Sequence, residues 1–251
     1  MLKKRIIARI DVKNEFVIKG IHLEGLRKVG DPHELAVRYY EGGIDEIIFM
    51  DAVASLYGRN NLFHIIEQAC RDVFVPITVG GGIRSLTDIE KALKSGADKV
   101  ALNTQAVKTP QLVSDAARIF GSQCIVSSIE AKRAGNSWEA YIDNGREHTG
   151  IDAIQWARQL QELGAGELLI TSVDREGTKS GFDNDLLSRV CDQIIVPVIA
   201  SGGAGVHTHV VTMFDSSQSD AVALASLLHY NLTTVKVLKA DLAENGVPVR
   251  L

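Results

Sequence analysis

Two carboxylates close two similar stretches of the chain. "IIARIDVK" (Ile6–Lys13) runs into Asp11, and "IVSSIEAKR" (Ile125–Arg133) runs into Glu130. Each acid follows a short apolar run and stands two residues before a lysine. Two acids brought to one site can do general acid–base work, one donating a proton while the other accepts one. The competing reading is that each acid merely pairs with Lys13, Lys19 or Lys132. Two glycine runs add a second kind of chemistry, "GGGIR" (Gly80–Arg84) and "SGGAG" (Ser201–Gly205). Glycine lets backbone N–H groups approach an anion closely, and a following helix N-terminus adds favourable potential. Hydroxyl-bearing stretches, "LNT" (Leu102–Thr104) and "LAS" (Leu224–Ser226), come after each run. One glycine run alone is equally well a tight turn. Two, each with a hydroxyl-bearing neighbour in the matching place, point to an elongated ligand with a phosphate at each end.

A further charged set begins four of the apolar runs: Arg5, Glu46, Lys99 and Glu167. Arg5 has the parity of Asp11 along a regular strand, so the two side chains share a face. Two cations and two anions can close a ring, and none of them is cheap to bury unpaired. A purely structural ion cluster accounts for the same pattern.

These residues need a frame that gathers strand ends. Strand-length apolar runs cover Arg5–Asp11, Glu46–Asp51, Val75–Gly80, Lys99–Asn103, Cys124–Glu130, Glu167–Val173, Val196–Ser201 and Ala221–Ala225. Amphipathic segments follow at Pro32–Tyr40, Asn60–Cys70, Leu86–Lys94, Pro110–Phe120, Ile151–Leu163, Asn184–Val190, His207–Phe214 and Leu232–Ala243. Such alternation predicts parallel βα units and an α/β fold, a (β/α)8 TIM barrel, with chemistry at the C-terminal strand ends. A doubly wound open sheet is the alternative, but the glycine-rich turn expected after its first strand is missing. The stretch Arg133–Gly150 interrupts the alternation, and its Asn144–Gly145 reads as a hairpin turn after the fifth strand.

The chain also resembles itself. "VPITVGGGI" (Val75–Ile83) returns as "VPVIASGGA" (Val196–Ala204), and "IDEIIF" (Ile44–Phe49) as "AGELLI" (Ala165–Ile170), each 121 positions on. "ADKVALNT" (Ala97–Thr104) returns as "SDAVALAS" (Ser219–Ser226) at 122, and Asp11 corresponds to Glu130 at 119. Residues 1–251 are therefore expected to form a single domain built from two duplicated half-barrels, about 1–122 and 123–251.

With 27 Lys+Arg against 31 Asp+Glu, net charge −4, there is no basic field to argue for nucleic acid. No apolar run is long enough to span a membrane, and the short apolar start after Lys3, Lys4 and Arg5 reads as a strand rather than a signal peptide. Three scattered cysteines suit a reduced, cytoplasmic setting. Seven histidines show no convincing metal spacing, and neither a metal nor another cofactor is expected.

The strings "IDVK", "VGGGIRS", "GADKVALNT", "FGSQC", "TGIDAIQWA", "LGAGELLITSVDREGTKSGFD" and "VIASGGAG" together resemble the cyclase subunit family of imidazole glycerol phosphate synthase (HisF), over nearly the whole chain. The resemblance implies a lyase of histidine biosynthesis. With ammonia it converts a bis-phosphorylated formimino-AICAR ribulotide to imidazole glycerol phosphate and AICAR. It implies a heterodimer with a glutaminase subunit, docked near Asp98 on the N-terminal face of the barrel. Asp11 and Glu130 become the catalytic acids, and Arg5, Glu46, Lys99 and Glu167 an ammonia gate. Phosphate and substrate binding fall to Gly82, Asn103 and Thr104 in one half, and to Glu176, Gly177, Gly203, Ala225 and Ser226 in the other. Lys19 is placed on a mobile loop after strand one.

Three positions depart from the family pattern. Glu130 stands where Asp is usual, Glu176 likewise, and Arg9 replaces a small residue. Arg9 shares the parity of Arg5 and Asp11, so it should point into the barrel and pair with Asp11, Glu130 or Glu46. The extra methylene moves a carboxylate by about 1.5 Å. The changes also fit a paralogue that channels ammonia with a glutaminase to make an acetamidino sugar for surface polysaccharide.

Overall fold

The computed structural model describes residues 2–52 and 62–251. Eight parallel strands close on themselves: β1 (Arg5–Lys13), β4 (Glu46–Asp51), β5 (Ile77–Gly80), β6 (Lys99–Leu102), β7 (Ile125–Ala134), β10 (Glu167–Ser172), β11 (Val198–Ser201) and β12 (Ala221–Leu224), with β12 pairing back onto β1. The fold is the (β/α)8 barrel expected from the alternation. β5 and β11 begin later than expected, each just after a proline (Pro76, Pro197). Proline cannot donate to the ladder and belongs at a strand's start.

Helices α1 (Pro32–Glu41), α2 (Leu62–Asp72), α3 (Leu86–Lys94), α5 (Gln111–Phe120), α6 (Ala153–Glu162), α7 (Asn184–Cys191), α8 (His207–Ser216) and α10 (Val235–Glu244) surround the strands. Of the segment expected at Asn60–Cys70, residues 60 and 61 lie outside the described residues. Several helices start where a side-chain oxygen takes up orphan N–H groups: Asp31 for α1, Ser85 for α3, Asp152 for α6, Asp183 for α7 and Thr234 for α10. Two short helices, α4 (Thr104–Lys108) and α9 (Ser226–His229), follow β6 and β12 and begin on the predicted hydroxyl residues. Among the described residues no helix is long and apolar enough to cross a membrane.

Apolar side chains fill two separate spaces. Outward-facing residues such as Ile6, Ile10, Ile47, Phe49 and Leu168 pack under the helices, while Ile7, Ile48, Val126, Leu169 and Ile199 fill the inside of the barrel. Successive residues of one strand thus supply both cores.

The interruption after β7 extends the sheet by two strands: β8 (Ser137–Ile142) pairs antiparallel with the upper half of β7, and β9 (Glu147–Asp152) pairs antiparallel with β8. Asn144–Gly145 forms its second turn, both residues in the left-handed region (φ 61° and 74°). Trp138 of β8 is 1% exposed and donates from Nε1 to Asp183 Oδ2 (2.8 Å), tying the extension to the start of α7. A matching extension follows β1, which the pattern of residues had not suggested: β2 (Phe16–Ile21) and β3 (Glu24–Gly30) form an antiparallel hairpin. Lys19, expected on the loop after strand one, lies within β2 of this hairpin.

Candidate active site

At the N-terminal end of the barrel the four charges form a closed ring. Arg5 contacts Glu46 (2.7 Å) and Glu167 (2.5 Å), and Lys99 contacts the same two acids (3.1 and 2.9 Å). Each cation bridges both anions, so no carboxylate is left uncompensated. Burial works against the Arg5 charge, but the two glutamates more than offset it and raise its pKa. Above the ring lies the layer of Ile7, Ile48, Val126, Leu169 and Ile199, and above that stands Arg9.

Arg9 points into the barrel, as its parity predicts, and is 4% exposed. Its Nε donates to Asp11 Oδ1 (2.9 Å), and its Nη1 to Thr171 Oγ1 (2.9 Å) and Ser201 Oγ (3.3 Å). Of the three partners considered from the sequence, Asp11 is the one used.

Asp11 and Glu130 lie one residue before the last parallel-paired positions of β1 and β7, which stand four strands apart in either direction around the barrel. Both are buried at the C-terminal mouth, but their surroundings differ. Burial acts against the Asp11 charge, yet Arg9 and then Lys19 hold its carboxyl below the ordinary carboxylate range. Glu130 is pushed up to about 7, chiefly by burial, with the charges of Asp11 and Asp143 adding to the effect. Arg9 and the Gly145 N–H, which donates to Glu130 Oε2 (2.8 Å), oppose the shift. One acid is thus kept ionised and the other holds a proton near neutrality. That division suits a base and an acid at one site.

The two hairpins meet over these acids. At the β2–β3 turn His22 and Leu23 both have positive φ (53° and 62°). The turn is held down by Glu176: its carbonyl accepts from His22 N (2.9 Å), its Oε2 from Leu23 N (2.8 Å), and its Oε1 forms an ion pair with Lys19. From the other hairpin, Asn144 Nδ2 reaches Leu23 O (3.4 Å). Lys19 and Glu176, expected to face substrate, spend their charges on each other.

Three neighbouring hollows, the central one sharing wall residues with each of the others, lie across the mouth. In the first half a pocket is lined by Gly81, Gly82, Arg84, Asn103, Thr104 and Lys108, with Glu130 and Asn144 at its inner edge. A small central space touches Asp11, Lys19, Asn144 and Glu176. In the second half a pocket is lined by Arg9, Lys19, Gly177, Ser201, Gly203 and Ser226, together with Ala225. The glycines are needed there: at Gly203, with φ 114°, a Cβ would lie 2.1 Å from Gly181 O, and at Gly81, with φ 90°, 2.3 Å from Asp51 O. The predicted phosphate-binding residues are therefore gathered into two pockets on either side of the two acids.

Some neighbours went unforeseen. Asp143, 6% exposed, binds Thr104 in both directions: Thr104 Oγ1 contacts its Oδ1 (3.3 Å), and its own N–H donates to that hydroxyl (3.1 Å). His229 stacks on Tyr39, with Tyr39 Oη 2.6 Å from its Nδ1, and burial pushes its pKa down to about 4 against the pull of Asp11. Neither belongs to a motif, and both contacts link residues distant in sequence.

Asp98 lies exposed on the opposite, N-terminal face, its Oδ2 accepting from Ile77 N (2.8 Å). Phe74 and Ile195, just ahead of β5 and β11, are 74% and 94% exposed on that face.

Comparison with known proteins agrees with this geometry. A family model described as "Histidine biosynthesis protein" matches residues 5–234. A protein of Legionella pneumophila named imidazole glycerol phosphate synthase subunit HisF is 59% identical across 82% of this chain and 97% of its own length. Proteins of the same name from Lactococcus lactis subsp. cremoris (strain SK11) and Dehalococcoides mccartyi (strain BAV1) are 47% and 46% identical, each across 100% of this chain. A barrel with two acids between two glycine-walled pockets, matched over 82–100% of its length by these relatives, places the chain in the histidine biosynthesis protein family, among the HisF subunits.

Proposed function

We propose that this chain is the cyclase subunit of imidazole glycerol phosphate synthase. With ammonia from a glutaminase partner, it converts a bis-phosphorylated formimino-AICAR ribulotide to imidazole glycerol phosphate and AICAR. The observation that carries the reading is the order of groups across the mouth: a glycine-walled pocket, Glu130, Asp11, and a second glycine-walled pocket. A ligand with a phosphate at each end spans the pockets and lays its reacting middle over the acids. Asp11, held ionised by Arg9, takes a proton from the middle of the ligand; Glu130, protonated near neutrality, gives one to the leaving group. Gly82, Asn103 and Thr104 bind one phosphate, and Gly177, Gly203, Ala225 and Ser226 the other. Lys19 and Glu176 hold the first hairpin over the reacting centre and keep water out.

The ring of Arg5, Glu46, Lys99 and Glu167 serves as the ammonia gate. The glutaminase docks on the face that carries Asp98, where exposed Phe74 and Ile195 give a stable interface its apolar anchors. Relatives named as subunits support an assembly of this kind. The test is glutamine-driven AICAR formation by a 1:1 complex with the cognate glutaminase, with AICAR identified chromatographically.

One observation favours a second reading. The Arg9 guanidinium stands in the barrel interior between the ring and Asp11. Together with the longer Glu130, it suits a paralogue that passes ammonia onward to an acetamidino-sugar amidotransferase. Glutaminase stimulation by this chain without AICAR formation would favour that reading.

A further inference from the structure

The two pockets are unequal. At the position in β7 that corresponds to Arg9 in β1, the second half carries Ser128, and the only strongly buried cations near either pocket, Arg9 and Lys19 among the described residues, both line the second-half pocket. In the first half the pocket's cations, Arg84 and Lys108, both stand exposed. Lys19 is neutralised by Glu176. Arg9 is committed on two of its nitrogens, Nε to Asp11 and Nη1 to Thr171 and Ser201. Among the described residues no protein group accepts from Nη2, while the side chain forms part of the pocket wall with Ser201, Gly203 and Ser226. Guanidinium is a planar fork suited to a phosphate or carboxylate oxygen. Nη2 is not among the fully buried polar atoms left without a partner, so this nitrogen of a pocket-lining side chain is accessible and free to donate to an anionic acceptor of the ligand.

We infer that Arg9 is a specificity-determining residue: it floors the second-half pocket, and through Nη2 it binds an oxygen of a dianionic phosphomonoester, making this the tighter of two unequal phosphate sites. The inference rests on the reading of both pockets as phosphate grips. It adds a link between pocket and acid: the guanidinium that grips the second-half phosphate also grips Asp11.

Inorganic phosphate is the probe, titrated into the full chain while the amide signals of Gly203 and Ser226 report one pocket and those of Gly82 and Thr104 the other. The native protein should bind more tightly in the second half. Arg9→Met should weaken that site about 30-fold, in line with loss of a charged hydrogen bond, and leave the first-half site within about twofold, since Arg9 does not line it. Arg9→Lys, which keeps a cation and the fold, should retain most of the affinity. Because Arg9→Met also frees the Asp11 charge, the double variant Arg9→Met/Asp11→Asn is decisive. It should stay weak if Arg9 touches the ligand, and recovery of native affinity would overturn the inference, as would an Arg9→Met site of unchanged affinity. If Arg9→Met does not fold, Arg9→Lys against Arg9→Gln answers the same question, with equal affinities counting against the inference. Absence of phosphate binding at both pockets of the native protein would instead overturn the underlying phosphate reading.

Discussion

Arg9 and Asp11 lie two residues apart on β1, point the same way into the barrel, and join through an Nε–Oδ1 contact of 2.9 Å. The pair sits at the level where the apolar interior gives way to the mouth. Among the described residues Arg9 makes no hydrogen bond to a second carboxylate, and Asp11 depends on Arg9 and Lys19 for its ionised form. Asp11→Asn should remove the base, lowering kcat by about 100-fold or more. It also strands a buried guanidinium, so the unfolding free energy should fall by about 3 kcal/mol. Steady-state turnover and denaturant melts of the variant check both effects.

Glu130 makes stability depend on pH. Its carboxyl titrates at about 7 in the folded protein against an ordinary 4.5. Between these values only the folded state holds the proton, so stability falls as pH rises through the window and levels off above about 7. Glu130→Gln removes this dependence and keeps an acceptor for the Gly145 N–H. Its stability relative to the native protein should climb from pH 4.5 to 7, reaching at most about 3 kcal/mol. Urea melts across that range would show it; a flat difference would contradict the burial of an unpaired carboxyl.

The charged ring offers a separate test of structure against passage. Lys99→Met leaves Glu46 and Glu167 with Arg5 alone, which should cost about 2 kcal/mol, reduced from the buried-pair figure because Arg5 and Lys99 are partly solvated. Glutamine-driven turnover should drop more than turnover driven by ammonium salt, since bulk ammonia reaches the mouth without crossing the ring. Equal losses in the two assays would make the ring structural only.

Glu176→Gln probes the hairpin. The amide still accepts from Leu23 N–H but no longer neutralises buried Lys19. Residues 16–30 should exchange amide hydrogens about tenfold faster, and KM should rise, while the exchange of β8 and β9 stays as it was. Hydrogen exchange followed by mass spectrometry resolves the two hairpins.

Much of this arrangement is legible in the sequence because it follows period and repeat. Arg9 and Arg5 face inward with Asp11 by strand parity, and the paired glycine runs identify both pockets. The eight barrel strands stand out as apolar runs because each is buried on both faces. The β2–β3 hairpin is not legible in the sequence, for a physical reason. Its turn uses His22 and Leu23 at positive φ, residue types that do not advertise that conformation, and Glu176, far along the chain, holds them there. The same distance hides the Lys19–Glu176 pair and the Asp143–Thr104 contact. The Asn144–Gly145 turn, by contrast, declares itself, although its service as hydrogen-bond donor to Glu130 does not.

The most direct measurement is product formation by the isolated chain, supplied with ammonium salt and the bis-phosphorylated formimino-AICAR ribulotide. The account predicts AICAR and imidazole glycerol phosphate in equal amounts, at a rate that Asp11→Asn lowers about 100-fold or more and that, at constant free ammonia, declines above about pH 7 as Glu130 loses its proton. No AICAR from a folded chain that nonetheless stimulates its glutaminase would contradict it.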